Sequence, residues 1–218
     1  MKTVTAFLAC VLAAAPAVAQ QGAGTKAPAN AGVARAQARP QTMRVVIDAG
    51  HGGVDKGVVS AGLAEKDTTL QLALELRTEL ERRGVQVILT RASDSFVSLA
   101  DRVRVASEVR PDCFVSLHKL QRLPQSRKPS PFFGLFYFSP QSKPLANALS
   151  PAIKRGIGAL GAAPGLEVQQ QRFYVLRQTT PAVLVEVDIQ GMSDPSVQTP
   201  LVRALADGTV SFLKSRPK

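Results

Sequence analysis

Tryptophan is missing from this chain of 218 residues, and aromatic residues of any kind reach only 5%. A carbohydrate-binding surface built on stacked indoles is therefore excluded. Cysteine is almost missing too, with Cys10 and Cys113 alone. Cys10 falls in a segment expected to be removed, so the mature chain keeps one thiol and no internal disulfide. The fold must then rest on its core. Cys113 lies inside an apolar run and reads as a buried small hydrophobe rather than a nucleophile. Acidic residues are in deficit, 16 against 27 Lys and Arg, which leaves a formal charge of +11. Such a surface favours anionic partners: nucleic acid, a membrane surface or acidic wall polymers. No paired cysteine–histidine finger and no aromatic RNA-binding signature is present, so no nucleic-acid partner is expected.

A membrane-spanning run of about 20 apolar residues is lacking as well. The apolar run from Val4 to about Ala15 is shorter. It follows Met1-Lys2 and precedes Ala17-Val18-Ala19 and Gln20. This three-part pattern predicts a secretory signal over 1–19, cleaved after Ala19. The chain is then exported across the inner membrane to the periplasm or beyond, with no stable membrane insertion afterwards. Residues 20–42 are rich in Ala, Gly, Pro and Gln, carry Lys26, Arg35 and Arg39, and have no acidic residue. They bury too little to fold and read as a flexible linker.

The folded domain is expected over 43–218. Strands are predicted at Arg44–Asp48, Val85–Thr90, Asp112–His118, Phe132–Phe138, Phe173–Leu176 and Ala182–Val187. Helices are predicted at Asp67–Arg83, capped by Asp67, and at Ser98–Val109, with Ser98 and Asp101 at capping-box spacing. Two more are predicted, from about Lys143 to Ile157, kinked or split at Pro151, and from about Ser196 to Leu213, started by Asp194-Pro195. Leu70, Ala73, Leu74 and Leu80 share the face of the first helix. Leu99, Val103 and Ala106 form the stripe of the second, and Leu145, Leu149, Ile153 and Ile157 that of the third. Lys119–Pro131 reads as a basic, proline-containing loop. Strands alternating with helices predict a single α/β domain, with a twisted, mostly parallel central sheet of about six strands flanked by helices. The strands around Val45, Val115 and Val183 are apolar almost throughout, as strands covered on both faces are.

Histidine is the scarcest chemically useful residue: the chain has only His51 and His118. Each stands at or just past the C-terminal end of an apolar strand, and Ala182–Val185 runs into Glu186. Ligands of open α/β sheets bind beyond those strand ends, so the three side chains are expected to converge there. Taken singly each is weak, because a lone histidine is usually a hydrogen-bonded structural residue. A charge inside Val-Leu-Val-Glu-Val, however, is costly to bury without a partner. Glycines surround His51 in Asp48-Ala49-Gly50-His51-Gly52-Gly53, which implies tight backbone turns. Glu65, just before the first helix, is placed to fold back toward His51, or simply to assist the helix N-terminus. Two histidines and a glutamate make a zinc set with a position left for water.

The stretches VVIDAGHGG, GLAEKD, VILTR, FVSLADRV, DCFVSLH and FYVLRQTTPAVLVE occur in one order. Together they resemble the zinc-dependent N-acetylmuramoyl-L-alanine amidases, whose catalytic domain is widespread among bacterial cell-wall hydrolases. The resemblance spans roughly Arg44 to the C-terminus. It implies that His51, Glu65 and His118 bind Zn2+ and that Glu186 is the catalytic carboxylate. It implies hydrolysis of the amide between N-acetylmuramic acid and L-alanine in peptidoglycan, with zinc-activated water as nucleophile and Glu186 as general base and acid. Asp48 is a candidate to orient a ligand from behind. Lys119 and Arg122 are candidates for substrate contact, and the domain is expected to act as a monomer, any protein activator being unknown. Two departures stand out. Lys119 follows the second histidine where the family has a small residue and then Asn or Asp, and Val187-Asp188 follows Glu186 where a Gly and an aromatic are usual. They motivate an alternative: a catalytically impaired wall-binding protein on the same fold. If strand alternation turns Lys119 to the far side it is harmless; if it points inward, metal affinity or turnover suffers.

Overall fold

The computed structural model describes residues 42–60, 62–120, 132–160, 165–188 and 195–216. The expected signal over 1–19, the expected linker apart from Thr42, and Arg122 lie outside these described residues. In chain order the elements are β1 (Arg44–Ala49), the two-residue strands β2 (Val59–Ser60) and β3 (Leu63–Ala64), α1 (Glu65–Arg82), β4 (Gln86–Leu89), α2 (Leu99–Val109), β5 (Cys113–Lys119), β6 (Phe132–Tyr137), α3 (Lys143–Gly158), β7 (Gly165–Gln170), β8 (Ala182–Asp188) and α4 (Pro195–Ser215).

Six strands form one sheet in the order β4-β1-β5-β8-β6-β7. The first four are mutually parallel; β6 runs antiparallel to β8, and β7 parallel to β6. The expected α/β domain with a mostly parallel six-stranded sheet is what forms. Because strand side chains alternate between faces, the apolar runs of β1, β5 and β8 feed two cores. Val45, Ile47, Cys113, Val115, Leu117, Val183 and Val185 pack under α1, α3 and α4. Val46, Phe114, Ala182 and Leu184 pack with Ala106 of α2 and with Val175 and Leu176. Full burial of a side chain the size of Phe114 or Leu117 contributes about 1.5–3 kcal/mol, so a register slip in β5 would be costly on both faces. That register decides which face each residue at the strand end occupies. Cys113 is fully buried, as expected, and burial pushes its thiol well above the ordinary range.

Several expectations need correction. Phe173–Leu176 is not a strand. Tyr174–Leu176 is a 3-10 turn that buries Val175 and Leu176 in succession, which an alternating strand on this surface would not do. The sixth strand is instead β7, an edge strand of sequence GLEVQQ whose last three residues are exposed. Helix α1 begins at Glu65, so Asp67 lies inside its first turn. The cap is Ala64, and the first amides donate to the carbonyls of Val58 and Lys56 instead. Its buried face is Thr69, Leu72, Ala73, Leu76 and Leu80, one step round from the expected stripe. In α2 the buried residues are Arg102 and Ala106, while Leu99 is 54% exposed. Ser98 does cap α2, accepting from the Asp101 amide at 3.1 Å. Helix α3 runs unbroken across Pro151 and buries Leu145, Leu149, Ile153 and Ile157 as expected.

Candidate metal centre

The parallel strands β1 and β5 end side by side, with Asp48 opposite Ser116 and Ala49 opposite Leu117. Past that edge the chain leaves β1 through Gly50, whose amide donates to the Leu117 carbonyl at 3.0 Å. His51 follows in a left-handed conformation, φ 61°, which costs a non-glycine residue about 1–2 kcal/mol. His118 is the sixth residue of β5. Glu65 reaches the same spot from the first turn of α1, and is only 2% exposed.

One carboxylate oxygen joins the two rings. Glu65 Oε1 lies 3.1 Å from His51 Nε2 and 3.1 Å from His118 Nδ1. One donor atom from each residue lies within 4.8 Å of the others. Ligands bound to zinc at 2.0–2.1 Å in a tetrahedron stand roughly 3.3 Å apart, so the two 3.1 Å spacings from Glu65 and the His, Glu, His donor chemistry suit that ion. The Glu65 carboxylate also accepts from the backbone amides of Lys119 (2.8 Å, to Oε1) and Val58 (2.9 Å, to Oε2). Burial pushes this carboxyl up, but the hydrogen bonds from His118, His51 and the two amides outweigh it and hold the group well below the usual carboxylate range. The other ring nitrogen of His51, Nδ1, is 2.9 Å from Asp55 Oδ2. A carboxylate there fixes the tautomer that leaves Nε2 free to bind a metal. The rings are about one-fifth exposed, open to a substrate.

Two glycines make the space. A Cβ on Gly50 would fall 2.5 Å from His118 Cε1 and 2.7 Å from its Nε2. One on Gly57, where φ is 62°, would fall 2.6 Å from His51 Cδ2 and 2.7 Å from Glu65 Oε2. Gly50→Ala is therefore expected to displace the His118 ring and weaken zinc binding by about 10–100-fold, the range for loss of a ligand's support. Competition with a fluorescent chelator, in a variant whose circular dichroism is unchanged, measures it; affinity equal to that of the parent would refute the cradle.

Glu186 stands opposite His118 in the β5–β8 register and opposite Gly134 in the β6–β8 register. Paired residues of neighbouring strands share a face, so His118 and Glu186 emerge side by side on the α2 face. By the same alternation Lys119 belongs to the opposite face, with Val115 and Leu117. Its backbone amide donates to Glu65 Oε1 at 2.8 Å.

Asp48 does not touch either imidazole. It is fully buried and accepts from Arg102 Nη1 (2.6 Å), Thr90 Oγ1 (2.7 Å) and Ser116 Oγ (2.7 Å). Arg102 also donates to the carbonyls of Ala49 and His51, both at 2.7 Å. Arg91, equally buried, donates to Ala49 and Gly50 at 2.9 Å and to Lys66 at 2.7 Å. Two guanidinium groups thus grip three successive carbonyls and hold His51 in its strained turn. Sequence reasoning missed Asp55, Arg91 and Arg102. The available clues were an acid four residues after His51, and an arginine three residues after Leu99 on the side of α2 read as apolar.

Comparison with known proteins gives the family and the fold. The family model described as N-acetylmuramoyl-L-alanine amidase matches residues 45–199. The N-acetylmuramoyl-L-alanine amidase LytC of Bacillus subtilis is 32% identical over 179 residues, covering 78% of this chain and 35% of that protein. The probable cell wall amidase LytH of Staphylococcus saprophyticus is 38% identical over 149 residues, covering 66% of this chain and 46% of that protein. The chain thus spans less than half the length of either relative. Among solved structures, the catalytic domain of the amidase CwlV from Bacillus (Paenibacillus) polymyxa var. colistinus superposes with a TM-score of 0.71 at 30% identity, covering 80% of this chain and all of that one.

Proposed function

Since the chain belongs to the N-acetylmuramoyl-L-alanine amidase family, we propose that it hydrolyses the amide joining the lactyl group of N-acetylmuramic acid to L-alanine in peptidoglycan, using zinc held by His51, Glu65 and His118. One observation carries the reading: two imidazoles and a buried carboxylate, from three distant segments, converge on one point beside Glu186. Bound there, zinc would polarise the scissile carbonyl and lower the pKa of water. Glu186 accepts the proton of the attacking water at its carboxylate. As the C–N bond breaks, it delivers that proton to the nitrogen of L-alanine, so the products are a free lactyl carboxylate and a free amine. Asp55 holds the His51 tautomer. Arg91 and Arg102 fix the turn behind it.

The same proposal includes export: a signal over 1–19 and a linker over 20–42 would deliver a basic catalytic domain, residues 43–218, to the wall. No helix among the described residues is long and apolar enough to cross a membrane. Purified mature protein is expected to release stem peptides with a free L-alanine amine from isolated peptidoglycan, and a chelator is expected to stop it. Product masses decide the point. A cut elsewhere in the stem, or release undiminished by chelation, would overturn the proposal. Retention on the wall without release would favour the binding-protein alternative.

A further inference from the structure

We propose that Phe136, Phe173 and Tyr174 form a glycan subsite beside the reaction site, a wall against which a pyranose ring of the peptidoglycan strand lies. This rests on the amidase reading and adds the place where its sugar is held. The chain has nine phenylalanines and two tyrosines, yet five of these eleven fall in two short segments, 136–138 and 173–174, that fold together. The Phe136 and Phe173 rings meet edge to face, with centroids 5.3 Å apart at 76°. Gly134 lets the first ring lie toward the site. A Cβ on Gly134 would sit 2.5 Å from Phe136 Cε2 and 3.5 Å from Glu186 Cβ, so the ring and the stem of the proton carrier flank one spot on the sheet. The 3-10 turn is anchored by buried Val175 and Leu176, and leaves Phe173 36% and Tyr174 48% exposed. Neighbouring aromatic surface left open beside a reactive cleft marks a contact site.

The chemistry of the wall selects the occupant. Substrate leaves the scissile amide in two directions: a neutral acetylated sugar one way, a stem peptide with free carboxylates the other. A pyranose ring presents C–H bonds on its face and hydroxyls at its rim. Phe173 and Tyr174 supply apolar ring surface in fixed positions, and the exposed amides of Gln169, Gln170 and Gln171 precede them in the chain. Gln169, paired with Phe136 in the β6–β7 register, shares that ring's face, its Nε2 donating to Glu167 Oε2 at 2.8 Å; Gln170 Nε2 donates to the Phe138 carbonyl at 2.8 Å. The cation of this segment, Arg172, is turned over the Phe138 ring, 6.0 Å from its centre, and does not stand on the Phe136–Phe173 pair.

The test titrates triacetylchitotriose, an acetylated sugar without peptide, into the mature zinc-loaded protein and into Phe173→Ala, Phe173→Leu and Tyr174→Ala, with the free stem tripeptide as the competing probe. Wild-type protein should bind the trisaccharide. Both Phe173 variants should weaken it by about fivefold or more, leucine included, because bulk without a ring does not replace the stacking contact. On soluble peptidoglycan fragments KM should rise by a similar factor with kcat within about twofold, and zinc affinity should not change. Failure of wild-type protein to bind the trisaccharide, unchanged binding in the Phe173 variants, or weakening of tripeptide binding in place of sugar binding would each overturn the subsite. Failure of the amidase reading would look different: no cleavage and no zinc binding in the wild type.

Discussion

Replacing Glu186 with glutamine should cut turnover by about 10²–10⁴-fold, the usual contribution of a positioned proton carrier, and leave zinc affinity and fold intact. The side chain keeps its shape and its place opposite His118, but an amide can neither accept the proton of water nor return it to the departing nitrogen. The contrast is His118→Ala, which removes a donor to the metal and should lose zinc and activity together. Chelator competition and product release, measured on both variants, separate the two roles. Turnover in Glu186→Gln within about tenfold of wild type would remove Glu186 from the mechanism and shift attention to Asp55, whose Oδ2 lies 2.9 Å from His51 Nδ1.

The positions of these residues were legible for a simple reason. Runs such as Val45-Val46-Ile47 and Ala182-Val183-Leu184-Val185 are apolar on both alternations, so they had to be covered strands. A histidine or glutamate at the end of such a strand has one place to go. The alternation that sets Lys119 on the face of Val115 and Leu117 likewise follows from counting in twos along β5. The edge strand β7 was not legible, because GLEVQQ faces solvent along much of its length and its alternation is two apolar residues long, Leu166 and Val168, the second of them 38% exposed. Phe173–Leu176 carried apolar residues without the geometry of a strand: two of them anchor a turn and two stay outside.

The support beneath the metal loop was hidden for a different reason. Charges are read as surface residues, and Arg102 sits on α2 among residues of either kind. Only the folded chain shows that its partner Asp48 is covered by the same helix. Asp48 pairs with Arg102 at 2.6 Å, and Arg102 in turn donates to the His51 carbonyl at 2.7 Å, so the expected route of Asp48 to the site runs through the backbone of His51.

That arrangement makes Asp48→Ala the most destabilising single change expected in the domain. Asp48 and Arg102 are 0% and 3% exposed, and the substitution strands the guanidinium with Arg91 close by and no carboxylate between them. Removing one partner of a buried ion pair costs about 3–5 kcal/mol, a large share of the roughly 5–15 kcal/mol that holds a domain folded. Urea denaturation should show the midpoint falling sharply at unchanged slope; a loss under about 1 kcal/mol would mean that the pair is not what secures the turn. The double variant Asp48→Ala/Arg102→Met divides the effect. With both charges gone, the desolvation cost disappears and much of the lost stability should return. The His51 carbonyl, however, loses its donor at 2.7 Å once Arg102 is replaced, so the left-handed turn is held less firmly and zinc affinity should be low. Stability and metal binding would then part company in one molecule. If they recover together, the arginine serves the core alone, and the geometry of His51 is fixed by its glycines.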